Sequence, residues 1–114
     1  MLKSHNTGKI GEAKAYHYLT EKKYKILDTN FSSCHGELDI IAIFKKTLVF
    51  VEVKTRSTKA YGYGMEVVGH EKQRRIKKTA EDYLFINKIR YKKIRFDVIS
   101  ILGDEVEHIE NAFI

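Results

Sequence analysis

The chain has 114 residues and a formal net charge of +6 at neutral pH. Its 43% hydrophobic and 32% charged residues are ordinary for a globular protein, so the composition excludes wholesale disorder. One domain spanning residues 1–114 is the natural expectation for this length. The single cysteine, Cys34, excludes an intramolecular disulfide and favours a reducing compartment.

Membrane insertion and secretion are not expected from this sequence. No apolar run approaches the roughly 20 residues that a membrane span needs, and the first seven residues contain no apolar segment typical of a secretory signal. We therefore expect a cytoplasmic protein without a membrane partner. The positive charge is concentrated in residues 70–95, which hold ten Lys or Arg and three acidic residues. That excess favours nucleic acid as the partner, although a well-solvated helix explains the charge equally well.

Hydrophobic periodicity predicts seven elements in the order α-β-β-β-α-β-β. The helices are expected at residues 6–23 and 70–88, and the strands at 24–31, 38–44, 48–53, 96–102 and 106–113. The second and third strands form a hairpin, whereas the β-α-β unit crosses over right-handed and makes a parallel pair. The predicted fold is therefore α/β, a mixed β-sheet flanked by helices. The segment 55–69 is expected to be a loop, with aromatic residues at 61–64 that either stack on bases or close over the core.

Two carboxylates occupy unusual positions in the central hairpin. Side chains alternate between the faces of a strand, so Glu52 and Lys54 extend an otherwise apolar face. A loop of two or four residues places Asp39 directly opposite Glu52 and Glu37 opposite Lys54, whereas a three-residue loop breaks this pairing. Opposed Cβ atoms lie about 4.5–5.5 Å apart. The two carboxylates therefore repel unless one is protonated, or a basic group or a cation lies between them.

Paired carboxylate oxygens suit Mg²⁺ or Mn²⁺, which keep several waters and bind substrate phosphates. Lys54 lies on the same face as Glu52 and can reach the same phosphate or an attacking water. The alternative is a surface salt bridge between Lys54 and either Glu52 or Glu37, with Asp39 at a turn. From the strands alone, the pattern predicts a divalent-cation site and leaves this alternative open.

Three further features of the sequence bear on function. Glu12 lies on the apolar side of the first helix, where an unpaired carboxylate costs several kcal/mol, so it either pairs with Lys or Arg or joins the same site. The spacing of Gly8 and Gly11 resembles that of a Gly-x-x-Gly loop that clamps the backbone of single-stranded nucleic acid, but close packing of the helix is the favoured role. Cys34 and His35 have no second cysteine and no spaced histidine pair beside them, so no zinc site is predicted.

Taken together, the motifs resemble a known superfamily. Gly36-Glu37-x-Asp39, a hairpin and then Glu52-Val53-Lys54 resemble the PD-(D/E)xK phosphodiesterases, whose fold is restriction-endonuclease-like. More specifically, the chain is similar to the YraN-like family of bacterial proteins in that superfamily, and to archaeal Holliday-junction resolvases in size and layout. The matching segments are Gly11-Glu12, Tyr18-Leu19 and residues 36–42, 48–56, 72–75, 95–98 and 112–113. The superfamily's proline before the aspartate is replaced here by Leu38.

The resemblance implies a role for each matching residue. Asp39 and Glu52 would hold the metal with the Val53 carbonyl, and Lys54 would orient or activate the attacking water. Glu12 would be the first-helix carboxylate of the nuclease motif. The residues expected to contact the nucleic-acid backbone are Lys72, Gln73, Arg74, Arg75 and Arg56.

The sequence therefore predicts a Mg²⁺- or Mn²⁺-dependent phosphodiesterase that acts on nucleic acid. The specific expectation is a structure-selective DNA endonuclease for branched or duplex DNA, in which a metal-activated water attacks the phosphodiester in line. The alternative is a non-catalytic nucleic-acid-binding module that keeps the nuclease fold. A homodimer is expected only by analogy, because cutting a junction requires two sites.

Overall fold

The computed structural model of the chain describes residues 3–56 and 68–113, with side chains from residue 9 onward. The element order α-β-β-β-α-β-β confirms the predicted order. The elements are α1 Lys3–Glu21, β1 Lys25–Ser33, β2 Gly36–Phe44, β3 Thr47–Arg56, α2 His70–Ile86, β4 Lys93–Leu102 and β5 Glu105–Ile109. The aromatic segment expected at 61–64 lies outside the described residues. Within the described part of the chain, no helix is long and apolar enough to cross a membrane.

The five strands form one sheet in the order β1-β2-β3-β4-β5. Strands β3 and β4 are parallel, and the other neighbouring strands are antiparallel. This arrangement confirms the predicted mixed sheet. A parallel pair needs a long crossover, and the stretch that joins β3 to β4 contains α2.

Each face of the sheet is covered by one helix. Ala15 and Leu19 of α1 pack in one buried cluster with alternate residues of β3, including Val49 and Val51. The intervening β3 residue Phe50 packs in a second cluster with the α2 side chains that are buried. The α2 members of that cluster are Ile76, Ala80 and Tyr83. The period-two alternation of β3 therefore separates the core into two layers.

A glycine sets how closely α1 approaches the sheet. A Cβ atom placed on Gly11 would lie 2.1 Å from Thr55 Oγ1 at the end of β3. Only a residue without a side chain therefore fits at this contact. This confirms the packing role expected for Gly11.

The central hairpin has the two-residue loop considered from the sequence. Lys45 and Lys46 both have positive φ, as a tight hairpin turn requires. Phe44 faces Thr47 across the turn, and the register continues to the pair Ile40 and Val51. This register confirms the predicted one for the paired part of the hairpin.

The predicted end of the last strand was wrong. Strand β5 ends at Ile109 because the chain turns at Asn111, whose φ is 53°. The Ala112 amide then donates to the Phe96 carbonyl at 2.8 Å, and the Phe113 ring stacks on the Phe96 ring at 5.6 Å. The apolar residues at 112–113 that extended the strand pattern instead close one edge of the α2-side core.

A buried polar network ties β4 to β5 and to the start of β1. Asp97 is fully buried, and its carboxylate accepts hydrogen bonds from Arg95 Nε at 2.9 Å and from the Asn111 amide at 3.0 Å. His108 Nε2 lies 2.7 Å from the same carboxylate, and Arg95 also donates to the Tyr24 hydroxyl. Although burial raises the pKa of Asp97, the hydrogen bonds from His108 and Arg95 hold it below its usual value.

Candidate metal and nucleic-acid site

The candidate site lies where β2 and β3 separate, at the end of the hairpin away from its loop. The regular pairing of the two strands stops at Ile40 and Val51. Beyond that point the Val53 amide donates to Asp39 Oδ2 at 2.8 Å. The Asp39 side chain therefore accepts the hydrogen bond from this backbone amide. That bond holds the Asp39 carboxylate beside Glu52.

Glu52 perturbs the pKa of Asp39, as the opposed positions of the two carboxylates in the sequence predict. Burial, followed by the nearby charge of Glu52, raises the pKa of Asp39 to about 7. The hydrogen bond from the Val53 amide acts in the opposite direction, and the charge of Glu12 adds a smaller upward contribution. Near neutral pH Asp39 therefore exists in both its protonated and its ionised form.

Two lysines complete the cluster. Lys72 Nζ lies 2.6 Å from Glu52 Oε2, and the Glu52 side chain is only 8% exposed. Burial lowers the pKa of Lys72, but its pairing with Glu52 outweighs that effect and leaves the pKa raised. Burial and the neighbouring Lys72 lower the pKa of Lys54. The ion pair of Glu52 is thus formed with Lys72 on α2, rather than with Lys54 on its own strand.

Three of these side chains, those of Asp39, Glu52 and Lys72, border an open cleft of about 230 Å³ between the sheet and α2. The residues that line it are Gly36, Glu37, Asp39, Glu52, Lys72, Arg75 and Ile76. Gly36 has a φ of +151°, and a Cβ atom there would lie 3.2 Å from the Thr79 hydroxyl. Glycine at this position therefore lets the start of β2 sit against α2 and form one wall of the cleft.

Glu12 lies near the cluster, but its hydrogen-bond partner is neither a lysine nor an arginine. Asn30 Nδ2 donates to Glu12 Oε1 at 2.8 Å. This amide takes the place of the Lys or Arg considered from the sequence. Glu12 is not among the residues that line the cleft, yet its charge contributes to the raised pKa of Asp39. Its influence on the site is therefore electrostatic in this structure.

The residues expected to contact nucleic acid have different positions. Lys72 and Arg75 line the cleft, and Arg74 is exposed on α2. Gln73 Nε2 donates to the Val68 carbonyl at 2.9 Å and so fastens the segment that precedes α2. Arg56 ends β3 and is partly buried. From the sequence, Lys72 was expected to contact the nucleic-acid backbone, and its ion pair with Glu52 was not predicted. The signal that favoured an inward position was its place at the edge of the apolar stripe of α2.

The donor set at this site fits a hard divalent cation. The Asp39 and Glu52 carboxylates and the Val53 carbonyl are the oxygen ligands that Mg²⁺ and Mn²⁺ prefer. Lys72 now pairs with one of those oxygens, so a cation would have to displace its ammonium group. With Asp39 ionised and the Lys72 ammonium group displaced, the two carboxylates would carry the two negative charges that balance a divalent cation.

The structure is that of an α/β protein, a mixed sheet with one helix on each face. At the open end of its central hairpin lies an acid–lysine cluster, formed by Asp39, Glu52, Lys54 and Lys72. The chain belongs to the uncharacterised protein family UPF0102, whose family model matches residues 11–101. It is 48% identical over 106 residues to a UPF0102 protein of Persephonella marina, covering 93% of this chain and 91% of that protein. It is 47% identical over 112 residues to a UPF0102 protein of Alkaliphilus oremlandii, covering 93% and 96% of the two chains. The family match confirms the family expected from the sequence, and it spans all four residues of the acid–lysine cluster.

Proposed function

We propose that this protein is a Mg²⁺- or Mn²⁺-dependent phosphodiesterase of the PD-(D/E)xK superfamily, acting on DNA as a structure-selective endonuclease. The observation that carries the proposal is the Asp39–Glu52 pair, held by the Val53 amide with two lysines beside it. A carboxylate pair in a cleft, with the pKa of one member, Asp39, raised, is typical of functional sites. The resemblance in sequence supports the same assignment.

Within this proposal the chain's own residues have distinct tasks. Asp39, Glu52 and the Val53 carbonyl would hold the cation, which when bound supplies an activated water and offsets charge on the phosphate. Lys54 lies beside Glu52 and Lys72, where its ammonium group can contact a phosphate oxygen or orient the water. This role requires Lys54 to remain close to the carboxylates.

Lys72 links metal binding to substrate binding. Its ammonium group pairs with Glu52 at 2.6 Å, so the arrival of a cation at Glu52 releases it. A released ammonium group on the wall of the cleft is a ready partner for a phosphate oxygen. We therefore expect the cation and DNA to bind cooperatively, each favouring the position of Lys72 that the other requires.

The exposed basic side chains of α2 supply the docking surface in this proposal. Arg74 and Lys78 are exposed, and Arg75 lies between them and the cleft. Contacts of this kind with phosphates release counterions, so DNA affinity should fall steeply as salt concentration rises. Charge reversal by Arg74→Glu with Lys78→Glu should weaken DNA binding, whereas Lys22→Glu in the turn that follows α1 serves as the control.

The decisive experiment is a calorimetric titration of Mn²⁺ into the wild type and the Asp39→Asn/Glu52→Gln double variant, with branched-DNA cleavage assayed on the same samples. The wild type should bind Mn²⁺ and cleave. The double variant should lose Mn²⁺ binding and cleavage, and it should keep the DNA binding that the wild type shows without metal. The isosteric control Glu81→Gln/Asp104→Asn removes two exposed carboxylates elsewhere and should behave as the wild type.

One observation favours a non-catalytic nucleic-acid-binding module as the second candidate. The Lys72–Glu52 ion pair already neutralises the buried carboxylate, as a purely structural cluster would. That candidate predicts salt-dependent DNA binding without Mn²⁺ binding. It also predicts that the Asp39→Asn/Glu52→Gln double variant binds DNA as the wild type does, with no cleavage by either protein.

A further inference from the structure

A second group of potential ligands lies at the turn between β1 and β2. Cys34 and His35 belong to this turn, and Asp82 lies near the C-terminal end of α2. The sulfur, nitrogen and carboxylate donor atoms of the three residues all lie within 4.8 Å of one another. Cys34 Sγ is 3.7 Å from His35 Nδ1, and that nitrogen is 2.7 Å from Asp82 Oδ2. The group thus joins two elements that are distant in sequence.

The surrounding structure holds these donors in place. The Ser33 hydroxyl donates to Asp82 Oδ2 at 2.6 Å and also accepts the His35 amide at 3.2 Å. Just before the turn, the Phe31 ring meets the Tyr83 ring edge-on at 5.0 Å, next to Asp82 on α2. Hydrogen bonds from His35 and Ser33 lower the pKa of Asp82, so the carboxylate is ionised at neutral pH.

The spacing matches the coordination geometry of a transition metal. Bonds of about 2.3 Å to sulfur and about 2.0 Å to nitrogen at a tetrahedral angle put the two donors roughly 3.5 Å apart. The observed 3.7 Å between Cys34 Sγ and His35 Nδ1 is close to this value. The carboxylate oxygen at 2.7 Å from Nδ1 would have to move outward by roughly 0.6 Å. Asp82 and His35 are both partly exposed, so this adjustment disturbs little of the core.

We propose that Cys34, His35 and Asp82 form a Zn²⁺ site that fastens the β1–β2 turn to α2. Thiolate and imidazole donors select a borderline-soft ion such as Zn²⁺, in contrast to the all-oxygen donor set at Asp39 and Glu52. Three protein ligands leave the fourth tetrahedral position to a water. The sequence did not indicate this site because its third donor, Asp82, lies 47 residues beyond His35.

The site bears on the neighbouring cleft. Gly36 and Glu37 follow directly on the same turn and line the cleft, and Arg75 lines it from the same helix as Asp82. A bound Zn²⁺ would therefore fix the distance between two walls of the cleft. The inference does not depend on the chemistry proposed for Asp39.

The test uses Co²⁺ as a spectroscopic probe and Zn²⁺ in competition with a chromophoric chelator, on the full chain. Wild type should bind one Zn²⁺ at this site and show a thiolate-to-cobalt charge-transfer band. Cys34→Ser should abolish the band, and Asp82→Asn should lower Zn²⁺ affinity at least about tenfold. Zn²⁺ should also slow the reaction of Cys34 with a thiol reagent.

Matched controls separate this site from the rest of the surface. His17→Gln removes an exposed histidine that pairs with Glu21, and it should leave Zn²⁺ affinity unchanged. The Asp39→Asn/Glu52→Gln double variant should keep the cobalt band, so failure here is distinguishable from failure of the nuclease proposal. The proposal is overturned if wild type shows no such band at saturating Co²⁺, or if Cys34→Ser and Asp82→Asn bind Zn²⁺ as tightly as wild type.

Discussion

Replacing Asp39 by asparagine is expected to stabilise the protein above pH 7. The change removes the charge that Glu52 and burial oppose, and the amide oxygen can still accept the hydrogen bond from the Val53 amide. A residue with a proposed catalytic role would then limit the stability of the fold. Such a conflict is common where a site holds like charges together.

The magnitude follows from the raised pKa. A change from 3.8 to about 7 corresponds to roughly 4 kcal/mol, because each pKa unit is worth about 1.4 kcal/mol. Part of this shift comes from the hydrogen bond that the protonated Asp39 carboxyl makes with Glu52, and an amide does not keep that bond in full. We therefore expect about half of the total, ~2 kcal/mol, to be recovered by Asp39→Asn.

The pH dependence has a definite sign. Between about pH 4 and pH 7 the unfolded chain has released the Asp39 proton while the folded chain still holds it. The free energy of unfolding of the wild type should therefore fall as pH rises through this window and level off above it. The difference between the variant and the wild type should grow over the same window and then stay constant.

Urea denaturation at a series of pH values, with fluorescence or circular dichroism as the signal, measures this difference. Glu37→Gln is the matched control, since Glu37 is an exposed carboxylate of the same cleft and should change stability by less than about 0.5 kcal/mol. An Asp39→Asn variant that is less stable than wild type at pH 8, or a difference that does not vary with pH, would refute the reasoning.

Three other substitutions test separate parts of the structure. Lys72→Met should raise Mn²⁺ affinity several-fold in calorimetry, because it removes the ammonium group that competes for Glu52; unchanged or weaker binding would contradict the proposed exchange. Asp97→Asn should lower the free energy of unfolding by about 3–5 kcal/mol in urea, because it removes the buried counterion of Arg95 and leaves that guanidinium only the exposed Glu110, and a loss below about 1 kcal/mol would rule out a structural role for that network. Gly11→Ala should cost about 1–3 kcal/mol by steric conflict with Thr55, and adding Thr55→Ala should restore much of it; an equal loss in both backgrounds would disprove the close contact.

The sequence predicted the structure best where a single physical requirement dominates, such as the burial of an apolar strand or the geometry of a tight turn. The apolar strands fixed the central hairpin, and its two-residue loop fixed the register that brings Asp39 toward Glu52. The contacts that the sequence missed depend on elements far apart in the chain. No local pattern indicates that the Lys72 ammonium group reaches the Glu52 carboxylate, because the distance between these two groups depends on how α2 packs on the sheet.

The ends of helices and strands were also less predictable, because contacts with residues far away in the chain help to set them. Apolar residues at 112–113 continue the strand pattern, yet they pack around Phe96 after the left-handed turn at Asn111. The first helix ends at Glu21, two residues before its predicted end, and Lys23 adopts a φ of 74°. In both cases a single residue with positive φ ended or redirected an element whose composition favoured continuation.

The strand order has a consequence for the path of folding. Strands β1, β2 and β3 are joined by short turns, whereas β4 reaches β3 only after the long crossover that contains α2. Loop-closure entropy favours the local hairpins first. We therefore expect Asp39 and Glu52 to meet before α2 delivers Lys72, so that their repulsion raises the free energy of the folding transition state. We expect Asp39→Asn to act mainly by accelerating refolding, and stopped-flow kinetics that show only slower unfolding would contradict this order of events.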